Sequence, residues 1–181
     1  MRFNLSSHPT TPSEIVKGIE VQHEWKERDT LWLRYVVDCP VDKLTLPDPA
    51  NRERCDNLWQ ATCFELFLRE PGAVPYDEYN FSPSSQWAAY AFNDFREGAR
   101  DLNLPEPPQI ELDAGDSFFA LEVDLTLPPD RIYQIIRAAI SAIIVDADGN
   151  KTYWGYHHPP GDPEFHHADC FAAELTPPGA A

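Results

Sequence analysis

The residue types best suited to chemistry fall between Leu58 and Phe92, in LWQATCFELFLREPGAVPYDEYNFSPSSQWAAYAF. Side chains of an extended chain alternate between faces. Ala61 to Arg69 therefore puts Phe64, Leu66 and Leu68 on one face, and Cys63, Glu65, Phe67 and Arg69 on the other. The return run puts Tyr79 and Phe81 on one face and Glu78, Asn80 and Ser82 on the other. The linker between them carries Pro71, Gly72 and Pro75, which end one strand and start the next. A linker this short predicts that the two strands pair, with Glu65 and Asn80 on a shared sheet face and Trp59 at its entrance. A carboxylate, an amide and an indole on one face suit a polyhydroxylated ring. The same groups would also suit a solvated outer face, and the pattern leaves both readings open.

A second mixed face occurs in DTLWLRYVVDC, Asp29 to Cys39, where Arg34 shares a side with Trp32. Arg34 could contact a ligand, or its stem could cover an exposed indole. The histidines are concentrated as His157–His158 and His166–His167, close to Asp162, Glu164, Asp169 and Cys170. These are zinc-ligand types, but the spacing matches no zinc pattern, and adjacent strand residues point to opposite faces. No metal is therefore assigned. One histidine of each pair is expected to pack a pocket wall while the other is solvated. Glu65 and Glu122 could be imagined as the two carboxylates of a glycosidase, but nothing fixes their separation. There is no nucleophile elbow, P-loop or dinucleotide fingerprint. No catalytic residue is assigned, and the chain is expected not to be an enzyme.

The elements that must position these groups are mostly strands. Ile15 to Trp25 and Asp29 to Cys39 read as two strands, the latter with Leu31, Leu33, Tyr35 and Val37 on one face. Gln109 to Leu112 and Ser117 to Leu127 read as a hairpin around Ala114-Gly115-Asp116. Pro128 to Arg137 carries the one helix signal, with Ile132, Ile135, Ile136 and Ala139 at helical spacing after two prolines. One short helix or helical turn is expected there. Ile140 to Val145 reads as a buried strand, and Asp148-Gly149 turns it back into Lys151 to His157. Cys170 to Leu175 supplies a last strand. The sum is about eight to ten strands in a two-layer domain. Residues 1–181 form one domain in this reading, with 1–13 as a loosely attached entry segment.

Composition bounds the partners. The chain has 181 residues, 18 prolines, 12% aromatic and 24% charged residues, and a net charge of −16. That is a globular, proline-interrupted composition. The charge argues against nucleic acid or an anionic membrane surface and favours a neutral or cationic ligand. The N-terminal MRFNLSSHPTTPSE lacks the apolar core of a secretory signal, and no run is long enough to span a membrane. Cytoplasmic localisation is expected, with the four cysteines reduced.

The run LWQATCFELFL, then YNFSPSSQWAAYAF, YWGYHH and FHHADCF in that order, resembles the DOMON-like superfamily, and small bacterial members of it in particular. The superfamily includes the family 9 carbohydrate-binding modules and the ligand-binding domains of certain b-type cytochromes. The resemblance covers Leu58 to Phe171 and implies an all-β, two-sheet antiparallel β-sandwich with a ligand pocket on one sheet. It implies a non-catalytic domain that binds a saccharide or sugar derivative. Trp59 and Trp154 would stack on the ring, Glu65, Asn80 and Arg34 would hydrogen-bond its hydroxyls, and His158 would stand in the pocket wall. The family's Asn-Pro pair appears here as Ser82-Pro83, which leaves Asn80 as its substitute. The alternative is a haem- or metal-binding domain using the paired histidines, with haem as its cofactor held by His157 or His158. The cytochrome relatives use an internal methionine and a histidine, and this chain has no methionine after Met1.

Overall fold

The structure, a computed structural model, describes residues 1–179. Twelve strands follow one another: β1 (Arg2–Ser7), β2 (Gly18–Trp25), β3 (Thr30–Asp38), β4 (Cys63–Arg69), β5 (Tyr76–Phe81), β6 (Trp87–Phe92), β7 (Arg100–Asp101), β8 (Gln109–Ala114), β9 (Phe118–Thr126), β10 (Ile136–Val145), β11 (Lys151–Gly155) and β12 (Ala173–Leu175). All strand pairings are antiparallel. The strands form one hydrogen-bonded path, β7-β6-β5-β4-β10-β11-β1-β2-β3-β9-β8, with β12 added on β10. No helix among the described residues is long and apolar enough to cross a membrane.

The expected all-β, antiparallel character is present, but the hydrogen bonding does not divide into two separate sheets. The path curls, and β1 carries it round the bend. Arg2 to Leu5 pair with β2, whereas Ser6 and Ser7 pair with β11. The segment expected to be a loose entry is thus a joining strand, with Phe3 and Leu5 buried. Only two apolar residues mark it in the sequence, too few to show the alternation.

Curling brings the β3 and β9 side chains against those of β4. Tyr35 stacks at a tilt on Phe64, centroids 4.9 Å apart, and Phe64 meets Phe119 edge-on at 5.8 Å. The Tyr35 hydroxyl donates to the Glu65 carbonyl at 3.2 Å, tying the two halves through the core. Each fully buried side chain of this size contributes roughly 1.5–3 kcal/mol through burial.

The helical spacing after Pro128 yields only a 3-10 turn, Pro129–Arg131. Ile136 and Ala139 instead enter β10, whose residues pair with β4, β11 and β12. A strand flanked on both sides buries its apolar run on both faces, which outweighs a weak local helix preference. At the β10–β11 turn Gly149 adopts φ 84°, and the Asp146 carboxylate accepts from the Asp148 and Asn150 amides.

One half is covered twice. The inner face of β4 packs in the main core, and its other face lies under the segment that follows β11. Phe165, Cys170 and Phe171 from that segment form a second apolar cluster with Phe67, Tyr76, Phe92, Ala139 and Ile143. This cover stops short of Glu65 and Glu78, and a cleft opens there.

Candidate ligand-binding site

Strand pairing fixes the floor of the cleft. Glu65 on β4 lies opposite Asn80 on β5 and opposite Ser141 on β10, so all three share one face. Glu78 stands on the same face two residues before Asn80. Glu65 is 3% and Glu78 6% exposed, unusual burial for carboxyl groups without a cation against them. Tyr90 and Phe92 of β6, Tyr153 of β11 and Phe165 form the apolar walls, and Trp59 stands at the mouth with 47% exposure. The cleft encloses about 700 Å³, enough for a small organic ligand.

Loops furnish the rest of the rim. The stretch before Trp59 runs alongside β6, with the Trp87 amide bonded to the Glu53 carbonyl and the Cys55 amide to the Trp87 carbonyl. That contact sets Arg54 between Asp56 (2.7 Å) and Asp101 (2.5 Å), while the Tyr90 hydroxyl also donates to Asp56 at 2.7 Å. The Tyr90 bond, followed by Arg54, holds the Asp56 carboxyl below its usual range. On the other side Arg96, in a turn with φ 54°, grips Glu164 through two bonds of 2.9 Å. Its backbone amide donates to the Tyr76 hydroxyl at 3.1 Å.

The same contacts reach the floor. The Tyr76 hydroxyl accepts from the Arg96 amide and also hydrogen-bonds Nδ1 of His166, 2.8 Å away. Nε2 of His166 lies 3.7 Å from Glu78. Burial, with Arg96 adding to it, lowers the imidazole to about 4. His166 is therefore neutral, and its approach to Glu78 is not an ion pair. Burial first and the Glu78 charge second push Glu65 up to about 8, against the hydrogen bond that Ser141 donates to it at 3.1 Å. Burial also raises Glu78, opposed by the Asn80 amide at 2.7 Å and by Arg96. The floor thus resists carrying two negative charges at once.

Of the six residues singled out from the sequence, Trp59 and Glu65 line the cleft. Asn80, 1% exposed, sits beside Glu65 and holds Glu78 in place. Arg34 is elsewhere: it belongs to β3 in the other half and is paired with Glu122 at 2.9 Å, and Trp32 donates to the same carboxylate. Alternation correctly put Arg34 and Trp32 on one side, but that side faces outward on the other half of the curled sheet. Trp154 is buried in the main core, its indole N–H bonded to Thr152, because its neighbour Tyr153 takes the cleft-facing position on β11. His158 bonds the Ser6 carbonyl at 2.8 Å and meets His8 edge-on, so it is a packing residue at the β1–β11 junction. The carboxyl partner of Glu65 is Glu78, not Glu122. Sequence reasoning missed Asp56, Arg96 and Tyr153 as site residues, and it expected one histidine of the 166–167 pair in a pocket wall without saying which; His166 is the one that lines the cleft. Alternation within the YWGY run could have flagged Tyr153, but loop residues give no such signal. Among the described residues no group of three or more His, Cys, Asp or Glu side chains is arranged to hold a metal ion.

No protein-family model matches the chain, and no curated protein sequence does. Solved structures do. A proposed carbohydrate-binding protein from Bacteroides uniformis is similar over 97% of this chain and 84% of its own, with 11% identity and a TM-score of 0.70. A family 9 carbohydrate-binding module from Caldicellulosiruptor kristjanssonii, solved with glucose, matches over 95% of this chain and 79% of its own, at 14% identity and a TM-score of 0.55. A second structure of such a module from the same organism, with cellotriose, covers 87% of this chain and 71% of its own at 13% identity and a TM-score of 0.50. The twelve-stranded curl around the Glu65 cleft is therefore similar in fold to the family 9 carbohydrate-binding modules.

Proposed function

We propose that the cleft binds a saccharide or sugar derivative without transforming it. The observation that carries this reading is the buried Glu65–Glu78 pair at the floor of an aromatic-walled cleft of about 700 Å³, with the Trp59 indole at its mouth. Sugar hydroxyls donate to carboxyl oxygens, and the C–H faces of a pyranose bury apolar area on aromatic rings. The curled sheet acts as the two layers of a β-sandwich, with the ligand on the outer face of one layer. The modules of similar fold were solved with glucose and cellotriose, which supports the ligand class.

Geometry also favours binding over hydrolysis. Glu65 and Glu78 rise from neighbouring strands of one sheet surface and approach a ring from the same side. Glycosidase carboxyls instead flank the scissile bond. A haem reading gains nothing from the site, since His158 is engaged by the Ser6 carbonyl away from the cleft.

A glycan and nucleotide-sugar array tests the proposal with the wild-type chain beside Glu65→Ala and Trp59→Ala. A hydrogen bond to a charged group is worth roughly 1.5–3 kcal/mol, so Glu65→Ala should weaken a genuine ligand about tenfold or more. Absence of any saccharide ligand, or ligands indifferent to both substitutions, would overturn it.

A further inference from the structure

We propose that the ligand carries a protonated amine, and that an amino sugar is the class this cleft fits, its ammonium group seated between Glu65 and Glu78. The inference rests on the saccharide reading of the same cleft and narrows it.

The argument begins with which charges are already matched. Asp56 and Asp101 share Arg54, and Glu164 takes both arms of the Arg96 guanidinium. Every acid at the rim is thus ion-paired with an arginine. Glu65 and Glu78 have no arginine or lysine in ion-pair contact: Ser141 donates to one and Asn80 to the other, both neutral groups, His166 faces Glu78 as a neutral imidazole, and Arg96, taken up by Glu164, acts on them only through space. A buried carboxylate can accept about four hydrogen bonds. Asn80, 1% exposed and adjacent to both acids, adds a side-chain oxygen with no partner. The floor is therefore rich in acceptors and lacks a cation.

The walls suit the same guest. Tyr90, Phe92, Tyr153 and Phe165 present ring surfaces around the acids, and ring faces attract a desolvated cation. Tyr90 already does so at the rim, where the Arg54 guanidinium lies 5.0 Å from its ring centre. A neutral hydroxyl would satisfy some of the acceptors. An ammonium group supplies three donors and the missing charge together.

Proton balance follows. Ligand-free, burial and then the Glu78 charge hold Glu65 near 8, so it keeps its proton at about pH 6.5. The ligand enters as R–NH3⁺, the Glu65 O–H bond breaks, and that proton goes to solvent, leaving an ammonium between two carboxylates. The other titratable groups facing the pair do not interfere. Burial, with Glu65 next, keeps the Cys63 thiol protonated, the Arg96–Glu164 pair has no net charge, and burial raises Tyr76 and Tyr90. Across the core, Tyr35 is likewise raised by burial.

Isothermal titration of the full chain tests this at about pH 6.5 with glucosamine, galactosamine and mannosamine. Each is run beside its N-acetyl counterpart and parent hexose, in two buffers of different ionisation enthalpy. At least one free amine should bind about tenfold tighter than both of its neutral counterparts, the gap between charged and neutral hydrogen bonds. It should also release up to one proton, while neutral sugars release none. Glu65→Gln and Glu78→Gln, with folding checked by circular dichroism, should each shrink the amine preference and the proton release. If neutral sugars bind as well as their amines, or the amine binds without proton release, the amine assignment fails and the saccharide reading stands. If no saccharide binds here or on the array, both fall.

Discussion

Asn80 lies directly across from Glu65, yet its amide donates to Glu78, two residues back on its own strand, at 2.7 Å. The cross-strand neighbour thus secures the second acid and leaves the first open toward the cleft. It also explains how two carboxyl groups stay side by side under 3% and 6% exposure.

Removing that donor should show in stability. Asn80→Ala leaves the buried Glu78 carboxyl short of a partner, a loss of about 1–3 kcal/mol. Asn80→Asp should be worse at pH 8, where a third acid joins the cluster, and should recover toward pH 5. Urea unfolding of the two variants at both pH values checks the ordering.

Glu65 should make the protein less stable as pH rises. Its folded-state value of about 8 lies above the ordinary carboxyl value of 4.5. Below 4.5 both states hold the proton; between 4.5 and about 8 only the folded state does. Stability therefore falls with rising pH across that window and levels off above it. Glu65→Gln, which mimics the protonated acid, should flatten the slope and raise the urea midpoint at pH 8.5.

His23 should act from the acid side. Its ring stacks on Phe3 at 5.3 Å with both nitrogens buried and unpartnered. Burial, and then the N-terminal ammonium, lower it to about 4 from 6.5. The unfolded chain binds the proton first as pH falls, so stability drops from about 6.5 down to 4 and stays low beneath that. His23→Phe should shift the acid unfolding midpoint downward in a pH titration followed by circular dichroism.

Trp59→Ala should separate binding from folding. The indole is half exposed at the mouth, and surface changes of this kind move stability by about 0.5 kcal/mol or less. Loss of a stacking ring removes about 0.5–1.5 kcal/mol of ligand affinity, or roughly twofold to thirteenfold. Calorimetric affinity and a thermal melt on the same sample distinguish the two.

Alternation made β4 and β5 legible, and with them the face shared by Glu65, Glu78 and Asn80. It also marked the β8–β9 hairpin, while the Asp148-Gly149 turn marked β10–β11. Alternation says which side chains share a side, however, not whether that side faces the cleft. For that reason Arg34 looked like a site residue although it faces outward on the other half of the curled sheet. Trp154 fell on the wrong parity beside Tyr153. Arg96, Asp56 and His166 reach the cleft through long-range contacts such as Arg96–Glu164, which have no period to read. Ile136 and Ala139 kept helical spacing, but pairing with neighbouring strands decided their conformation.

The divided pairing of β1 makes the first seven residues a clasp. Clipping them would strip partners from β2 and β11 at once and bare two strand rims to neighbouring molecules. Proteolysed material should then clump by strand addition rather than simply soften, and a bulky fusion that disturbs Met1, whose ammonium bonds the His23 carbonyl at 3.1 Å, would invite the same fate.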